Sequence, residues 1–483
     1  MRVLMLNPPF LPGYSRGQRS PAVTRSGTLY YPIWLSYAAG ALEQAGHEVL
    51  LLDAPAAELD REAVMDRARG FAPDLAVVET STPSIRSDAA VADSLAAVAE
   101  EVLLVGTHPA ALPERTVHLG ERFSGVVTGE YEMPLLGACE AIQSGGSLRK
   151  VPGLCLRKGG ETVLTGPGEL VEDLDSLPWV SRVYARHLPI ERYNNPNALH
   201  PQVMIMGGRG CPFGCSFCVF PQTLTGRRLR RRSVEDIVGE MLWVQENLPQ
   251  VRAVFFEDDT ISADRDRLRR LAAEMVRRRV AISWTANMRA DVDYDTLLAC
   301  REAGLRTVCV GFESGSPQLL RNMGKGIDPE TMRRFARDAR RAGVLFHGCF
   351  MVGIRGETRE TMRQTLELAL ELDPDTAQFY PLMVYPGTRA YREAREDGNL
   401  LPSTWRDWLD AEGLHSCVVR TGELSASELV DFCDYARRRF YLRPRYILRK
   451  LLASLRDPDE RHRTLKAFGT FWRHLVRRGG AEG

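Results

Sequence analysis

Gly207-Gly208-Arg209-Gly210-Cys211-Pro212-Phe213-Gly214-Cys215-Ser216-Phe217-Cys218 places three of the chain's ten cysteines within eight positions. Each thiolate of this C-x3-C-x2-C loop can ligate one iron of a cubane cluster, and the flanking glycines let the backbone wrap closely around it. A closed zinc site wants four ligands, and no Cys or His follows soon enough to supply a local fourth; a distant His would have to complete it. With three thiolates, one iron keeps a vacant position for a chelating substrate.

The loop follows the apolar run 203–206. Five more runs, at 251–256, 281–286, 307–311, 344–352 and 377–384, alternate with charge-laced helical stretches such as 234–247 and 329–342. Six such units predict a partial (β/α)6 TIM-type barrel over residues 201–400, with its active site at the C-terminal ends of the strands. Toward the N-terminus, short runs at 3–6, 49–52, 75–78, 102–105 and 125–128 are separated by helix-compatible stretches. That alternation predicts a five-stranded, doubly wound, Rossmann-like parallel sheet over residues 1–140, so the chain is α/β throughout its first four hundred residues. Ligands of such sheets sit beyond the carboxyl ends of the strands, which here carry Asn7-Pro8-Pro9, Asp53-Ala54, Thr80-Ser81-Thr82-Pro83, Gly106-Thr107-His108-Pro109 and Gly129-Glu130-Tyr131-Glu132. No G-x-G-x-x-G follows the first strand, which argues against a nicotinamide or flavin dinucleotide. Residues 141–200 read as a linker with a small hairpin at 154–164. Residues 401–483 read as a helical, basic extension.

The 483 residues, 54.0 kDa, suit two or three cores. With 44% hydrophobic and 26% charged residues and a mean hydropathy of −0.22, the composition is that of a globular protein. The 63 basic and 62 acidic side chains nearly cancel, so no nucleic-acid partner is expected from net charge. The apolar run before Pro8 is too short for a signal-peptide core, and no run is long enough to span a bilayer. Sparse cysteines, with three grouped for metal, fit a reducing cytoplasm. Residues 437–478 hold 14 Lys/Arg against 3 Asp/Glu, and Phe468, Phe471, Trp472 and Leu475 share one helical face. That face either packs on the barrel or makes a peripheral contact with an anionic surface at the inner membrane face or with a lipid-linked substrate.

The cysteine spacing, with Phe217 at the aromatic place, resembles the radical S-adenosylmethionine (SAM) superfamily. The resemblance implies that Cys211, Cys215 and Cys218 hold a 4Fe-4S cluster whose fourth iron is chelated by the methionine end of SAM, and that one-electron reduction cleaves SAM to methionine and a 5'-deoxyadenosyl radical. By the same resemblance, SAM is approached by Phe217, by Glu257 and Asp258 after the second barrel strand, by Arg289 after the third, by Glu313 and Ser314 after the fourth, and by Gly353 after the fifth. The N-terminal rim resembles the cobalamin-binding domain that precedes many such barrels. It implies cobalamin contacts from Asn7, Pro8, Thr80, Ser81, Thr82, Gly106, His108, Gly129 and Glu130. The D-x-H-x-x-G motif whose histidine ligates cobalt is absent from the sequence. As a substitute ligand His108 competes with a simpler role, hydrogen bonding within its turn.

Together the resemblances imply a cobalamin-dependent methylation of an unactivated carbon in a small-molecule or lipid-linked substrate, with an electron donor such as flavodoxin or ferredoxin. Two alternatives stand beside it: radical cyclisation, ring contraction or oxidation without methyl transfer, and a non-catalytic cobalamin or iron–sulfur sensor.

Overall fold

The computed structural model describes residues 1–158, 160–456, 459–461 and 469. The expected apolar face at Phe468, Phe471, Trp472 and Leu475 lies outside these residues. The first sheet contains β1 (Arg2–Asn7), β2 (Glu48–Asp53), β3 (Leu75–Thr80), β4 (Glu101–Gly106) and β5 (Gly125–Val127), all parallel. The hairpin β6 (Leu154–Lys158) and β7 (Glu161–Leu164) does not stand apart. It adds antiparallel to β5 and makes a seven-stranded sheet ordered β2-β1-β3-β4-β5-β6-β7.

Alternation along β1 decides which core each residue joins. Leu4 and Leu6 face a core closed by the helices Arg61–Phe71 and Ile85–Leu95. Val3 and Met5 face the opposite way, into a core that runs without a break through the helices Ile33–Gln44 and Val180–His187 into the second sheet. Strands buried on both faces must be apolar at every position, which is why they read as continuous runs.

The second sheet is built from β8 (Gln202–Ile205), β11 (Ala253–Phe256), β12 (Ser283–Met288), β13 (Leu305–Glu313), β14 (Leu345–Val352) and β15 (Thr376–Pro381), parallel and in spatial order. Between the first two of these, the short strands β9 (Gly208–Arg209) and β10 (Arg230–Arg231) pair antiparallel and pinch the base of the cysteine loop. The intervening helices start on side-chain caps: Ser233, Asp264, Asp293, Asp328 and Thr358 each accept a backbone N–H three residues on. Such caps fix where each helix starts and contribute about 1 kcal/mol apiece. After β15 come the helices Arg389–Glu396, Ala426–Tyr441 and Pro444–Arg456. Among the described residues no helix is long and apolar enough to cross a membrane.

The two sheets are locked by buried charge. Arg209 donates to Glu132 at 2.7 Å and lies 3.4 Å from Glu130, while Arg230 donates to Glu130 at 2.9 Å and to the Val171 carbonyl at 2.6 Å. The Arg209 guanidinium also stacks 5.0 Å from the rings of Trp34 and Tyr37. Pairs shielded this fully hold one arrangement because breaking either partner strands a buried charge.

Candidate functional site

The cysteine loop leaves β8 and lies over the C-terminal ends of the barrel strands. Its three thiols are partly accessible, whereas Cys139, Cys155, Cys300 and Cys433 are buried in the cores. The loop is clamped from several sides. The Ser216 N–H donates to the Met323 carbonyl at 2.8 Å, and Gln222 Nε2 donates to the carbonyls of Ser216 at 3.1 Å and Cys218 at 2.8 Å. Gly210 has φ +88, and a Cβ there would stand 2.2 Å from the Arg228 carbonyl, so only glycine permits this turn. Phe217 packs partly buried on the main core.

Cys218 lies in the electrostatic field of Cys215 and Cys211, and burial together with Asp259 pushes its thiol well above the ordinary range. Thiols held together in this way ionise when a multivalent cation compensates them, which suits a metal cluster. Among the described residues no three His, Cys, Asp or Glu side chains are brought close enough together to hold one metal ion.

Carboxylates from the strand ends ring this loop. Glu257, Asp258 and Glu313 are each at most 5% exposed. Burial lifts the Glu257 carboxyl to about 7 even though Arg19 faces it. Glu257 accepts from Arg19 and, at 3.2 Å, from Asn287 Nδ2. Asp258 serves the framework, since its Oδ2 accepts the Gly207 N–H at 2.8 Å and so ties β11 to the start of the cysteine loop. Arg289 is likewise committed. Its guanidinium lies 3.6 Å from the centre of the Phe213 ring and donates to the Lys325 carbonyl at 3.0 Å, bracing the loop from below. Ser314 is fully buried, within 3.2 Å of the Thr365 hydroxyl, and its Oγ accepts the Ser316 N–H at 3.1 Å.

Glu313 is different. It adopts φ +67, a strained conformation for a residue with a side chain, and its Oε1 accepts from Lys325 Nζ at 2.9 Å while its Oε2 is buried. Gly311 makes room for this pair, since a Cβ there would stand 2.0 Å from Glu313 Oε1 and 3.0 Å from Lys325 Nζ. The Tyr380 hydroxyl faces the same carboxylate, whose second oxygen makes no well-formed hydrogen bond and can accept from it or from a ligand's ammonium or hydroxyl. Gly353, at φ +88, donates to Glu357 Oε2 at 3.1 Å and lines a small pocket of about 50 Å³ shared with Ser216 and Thr421. A larger cleft of about 580 Å³ lies outside the barrel between the helices Val234–Asn247 and Arg265–Arg277 and contains none of these groups.

The nine rim residues of the first sheet do gather at its carboxyl edge, but several are already engaged. Asn7 donates to Asp53 at 2.9 Å, and Thr80 to the Val105 carbonyl at 2.9 Å. Ser81 Oγ lies 2.7 Å from both Tyr14 OH and Ser84 Oγ. The Pro8 carbonyl accepts from Arg16 at 2.9 Å. Gly106 has φ +134 and approaches the Thr80 carbonyl too closely for any side chain. His108 is 1% exposed, bonded to the Thr82 hydroxyl at 3.1 Å and edge-on to Trp405; burial lowers its pKa to about 3, which favours the neutral imidazole. Glu130 turns away from the rim to the Arg209 and Arg230 lock. What remains open is backbone: nothing lies within 4 Å of where a Cβ on Gly129 would stand. On β3, in the field of Arg16, Asp53 and Asp88, Glu79 is buried with Oε2 unpartnered and is pushed up to about 8 by burial. A bare ledge with an unsatisfied buried carboxyl fits a bulky amide-fringed corrin better than it fits solvent.

The sequence marks Tyr14 to Ser20 as a long polar loop able to cover the cleft, but it does not give the acidic partners of Arg16 and Arg19, and it misses Lys325 and Glu79. The loop between β1 and the helix Ile33–Gln44 crosses the cleft: Tyr14 and Arg16 bond back to Ser81 and Asp88, and Arg19 reaches over to Glu257, to the Asp258 carbonyl at 3.1 Å and to Asp259 at 3.4 Å. The one hint in the sequence is that a loop rich in Arg and Ser is too long for a plain β–α connection.

Comparison with known proteins agrees with this geometry. The radical SAM superfamily model matches residues 205–369 and the B12 binding domain model residues 19–137, together more than half of the chain. The chain is 28% identical over 455 residues, 93% of its length and 95% of the relative's, to an uncharacterised methyltransferase of Pyrococcus horikoshii. It is 26% identical over 437 residues, 85% and 67% of the two chains, to the anaerobic magnesium-protoporphyrin IX monomethyl ester cyclase of Cereibacter sphaeroides. Its fold superposes with a TM-score of 0.70 and 20% identity, covering 89% and 88% of the two chains, on the radical S-adenosylmethionine methyltransferase TsrM of Kitasatospora setae. With a B12-binding domain leading into a barrel that carries the cysteine triad at its mouth, the chain belongs to the cobalamin-binding branch of the radical SAM superfamily.

Proposed function

We propose that this chain is a cobalamin-dependent radical SAM methyltransferase that methylates an unactivated carbon of a small-molecule substrate, with an external one-electron donor. The reading is carried by one observation: the loop that rises from the B12-binding rim sets Arg19 on Glu257 and Asp259 beside Cys218, so the two cofactor grounds share one cleft. When bound, the cluster and SAM supply one-electron reductive cleavage and the corrinoid supplies the methyl carrier.

The chain's own residues position and shield. Cys211, Cys215 and Cys218 hold the cluster, and Arg289, stacked on Phe213, keeps the loop in shape. Glu313, fixed by Lys325, keeps one carboxylate oxygen for the ammonium or ribose of SAM, and Glu257 offers a second acidic contact. Phe217 and Gly353 border the same mouth. At the rim Gly129, Glu79, Asn7, Thr80 and Ser81 would hold a bound corrin. The Tyr14–Arg16 segment, fully packed, excludes water from the cleft.

The test is anaerobic protein loaded with cobalamin, reduced, and given methyl-labelled SAM. Label in the product supports methylation. A second reading, radical cyclisation or oxidation, is favoured by the likeness to the cyclase of Cereibacter sphaeroides, and would leave the label in methionine alone. Cys215→Ala should lose both the iron and the 5'-deoxyadenosine. A wild-type protein that binds iron and never cleaves SAM would instead make the chain a sensor.

A further inference from the structure

The helix Pro444–Arg456 exposes Ile447, Leu448, Leu451, Leu452 and Leu455, the last at 83% exposure. Spaced i, i+1, i+4, i+5 and i+8, they form one continuous apolar arc. The helix is not free to roll this arc inward. Its other face is pinned to the barrel by Tyr446, whose hydroxyl donates to the Asp375 carbonyl at 2.9 Å, and by Arg449 and Arg443, each 2.6 Å from Asp373. The preceding helix and its C-cap expose Tyr435 and Leu442, both about half exposed, interleaved with exposed Arg438 and Arg439. Arg445 flanks the arc. None of these three arginines has an ion-pair partner among the described residues. From Tyr435 to Arg456 the sequence holds eight Lys/Arg and no Asp/Glu.

We infer that this surface docks on an anionic lipid bilayer, the arc entering the acyl boundary and Arg438, Arg439 and Arg445 resting on the headgroups. An apolar arc bordered by cations is the pattern that seats a helix in the plane of a membrane interface. The cationic border favours an anionic bilayer over a second copy, which would oppose arginine to arginine. The inference is independent of the methyl-transfer reading, since it rests on a surface remote from the cysteine mouth.

The experiment is flotation of the full chain with vesicles of phosphatidylcholine alone or mixed with phosphatidylglycerol. Binding is expected to the mixed vesicles, weakened by salt. The double variant Leu451→Glu/Leu455→Glu, exposed and so neutral for folding by circular dichroism, should lower the bound fraction more than about tenfold. Arg438→Gln and Arg439→Gln should each weaken binding to mixed vesicles about fivefold and leave the phosphatidylcholine control unchanged. No binding, equal binding to both vesicle types in high salt, or a concentration-dependent dimer that the leucine variant dissolves would each overturn the inference.

Discussion

Arg19 and Glu257 lie 238 positions apart, and their ion pair is the point where the B12-binding domain enters the mouth of the barrel. The guanidinium also caps the carbonyl of Asp258 and touches the carboxylate of Asp259, so one side chain compensates two buried acids. Its cation sits over the ring of Phe220, at 5.2 Å, just past the last cysteine.

Arg19→Gln should therefore leave Glu257 and Asp259 facing each other without a counter-charge. Loss of about 2 kcal/mol is expected, read as a shift in the urea midpoint, with Arg19→Lys recovering part of it. Burial already lifts Glu257 to about 7, and the variant should lift it further. Because a carboxyl raised on folding stabilises most below its unfolded value and loses that contribution as pH rises through the folded one, the deficit of Arg19→Gln should be larger at pH 8 than at pH 5.

Lys325 and Glu313 form a second buried pair, both under 8% exposed. Lys325→Met should cost about 3 kcal/mol by stranding the carboxylate, and Lys325→Met/Glu313→Gln should restore more than half of it. Either single change should weaken SAM binding, measured by calorimetry on cluster-loaded protein.

Gly311→Ala should act through the same pair. The new methyl would meet Glu313 Oε1, and SAM affinity should fall at least about tenfold if Glu313 holds the cofactor. Gly70→Ala is the matched control: it lies in the helix Arg61–Phe71 with nothing within 4 Å, and should gain about 0.5–1 kcal/mol of stability with SAM affinity untouched.

Glu79→Gln tests the rim. Burial raises the Glu79 carboxyl from 4.5 to about 8, so its stabilising contribution is complete below 4.5 and is lost as pH climbs through 8. The neutral amide should match the wild type near pH 4 and surpass it progressively toward pH 8 in thermal unfolding. A flat difference across that range would mean the carboxyl is solvated and not a rim group.

The amino-acid sequence by itself determined the strands and the cysteine loop, because both are local. Strands buried on two faces must be apolar at every step, as in 75–78 and 102–105, and three ligands within eight residues need no tertiary contact to be seen. It also placed Asn7, Thr80, Gly106 and Gly129 on one edge, since parallel strands all end on the same side. Only the tertiary structure decided which side chains are spare. Glu130 pairs with Arg209 and Arg230, one Asp258 oxygen accepts the Gly207 N–H, and the Arg289 guanidinium stacks on the Phe213 ring, and none of these partners can be read from the sequence. Arg19 and Lys325 join the mouth through loops far from the cysteines in the chain. Ion pairs and hydrogen bonds of that kind depend on which surfaces pack together, and no periodicity along the chain encodes their partners.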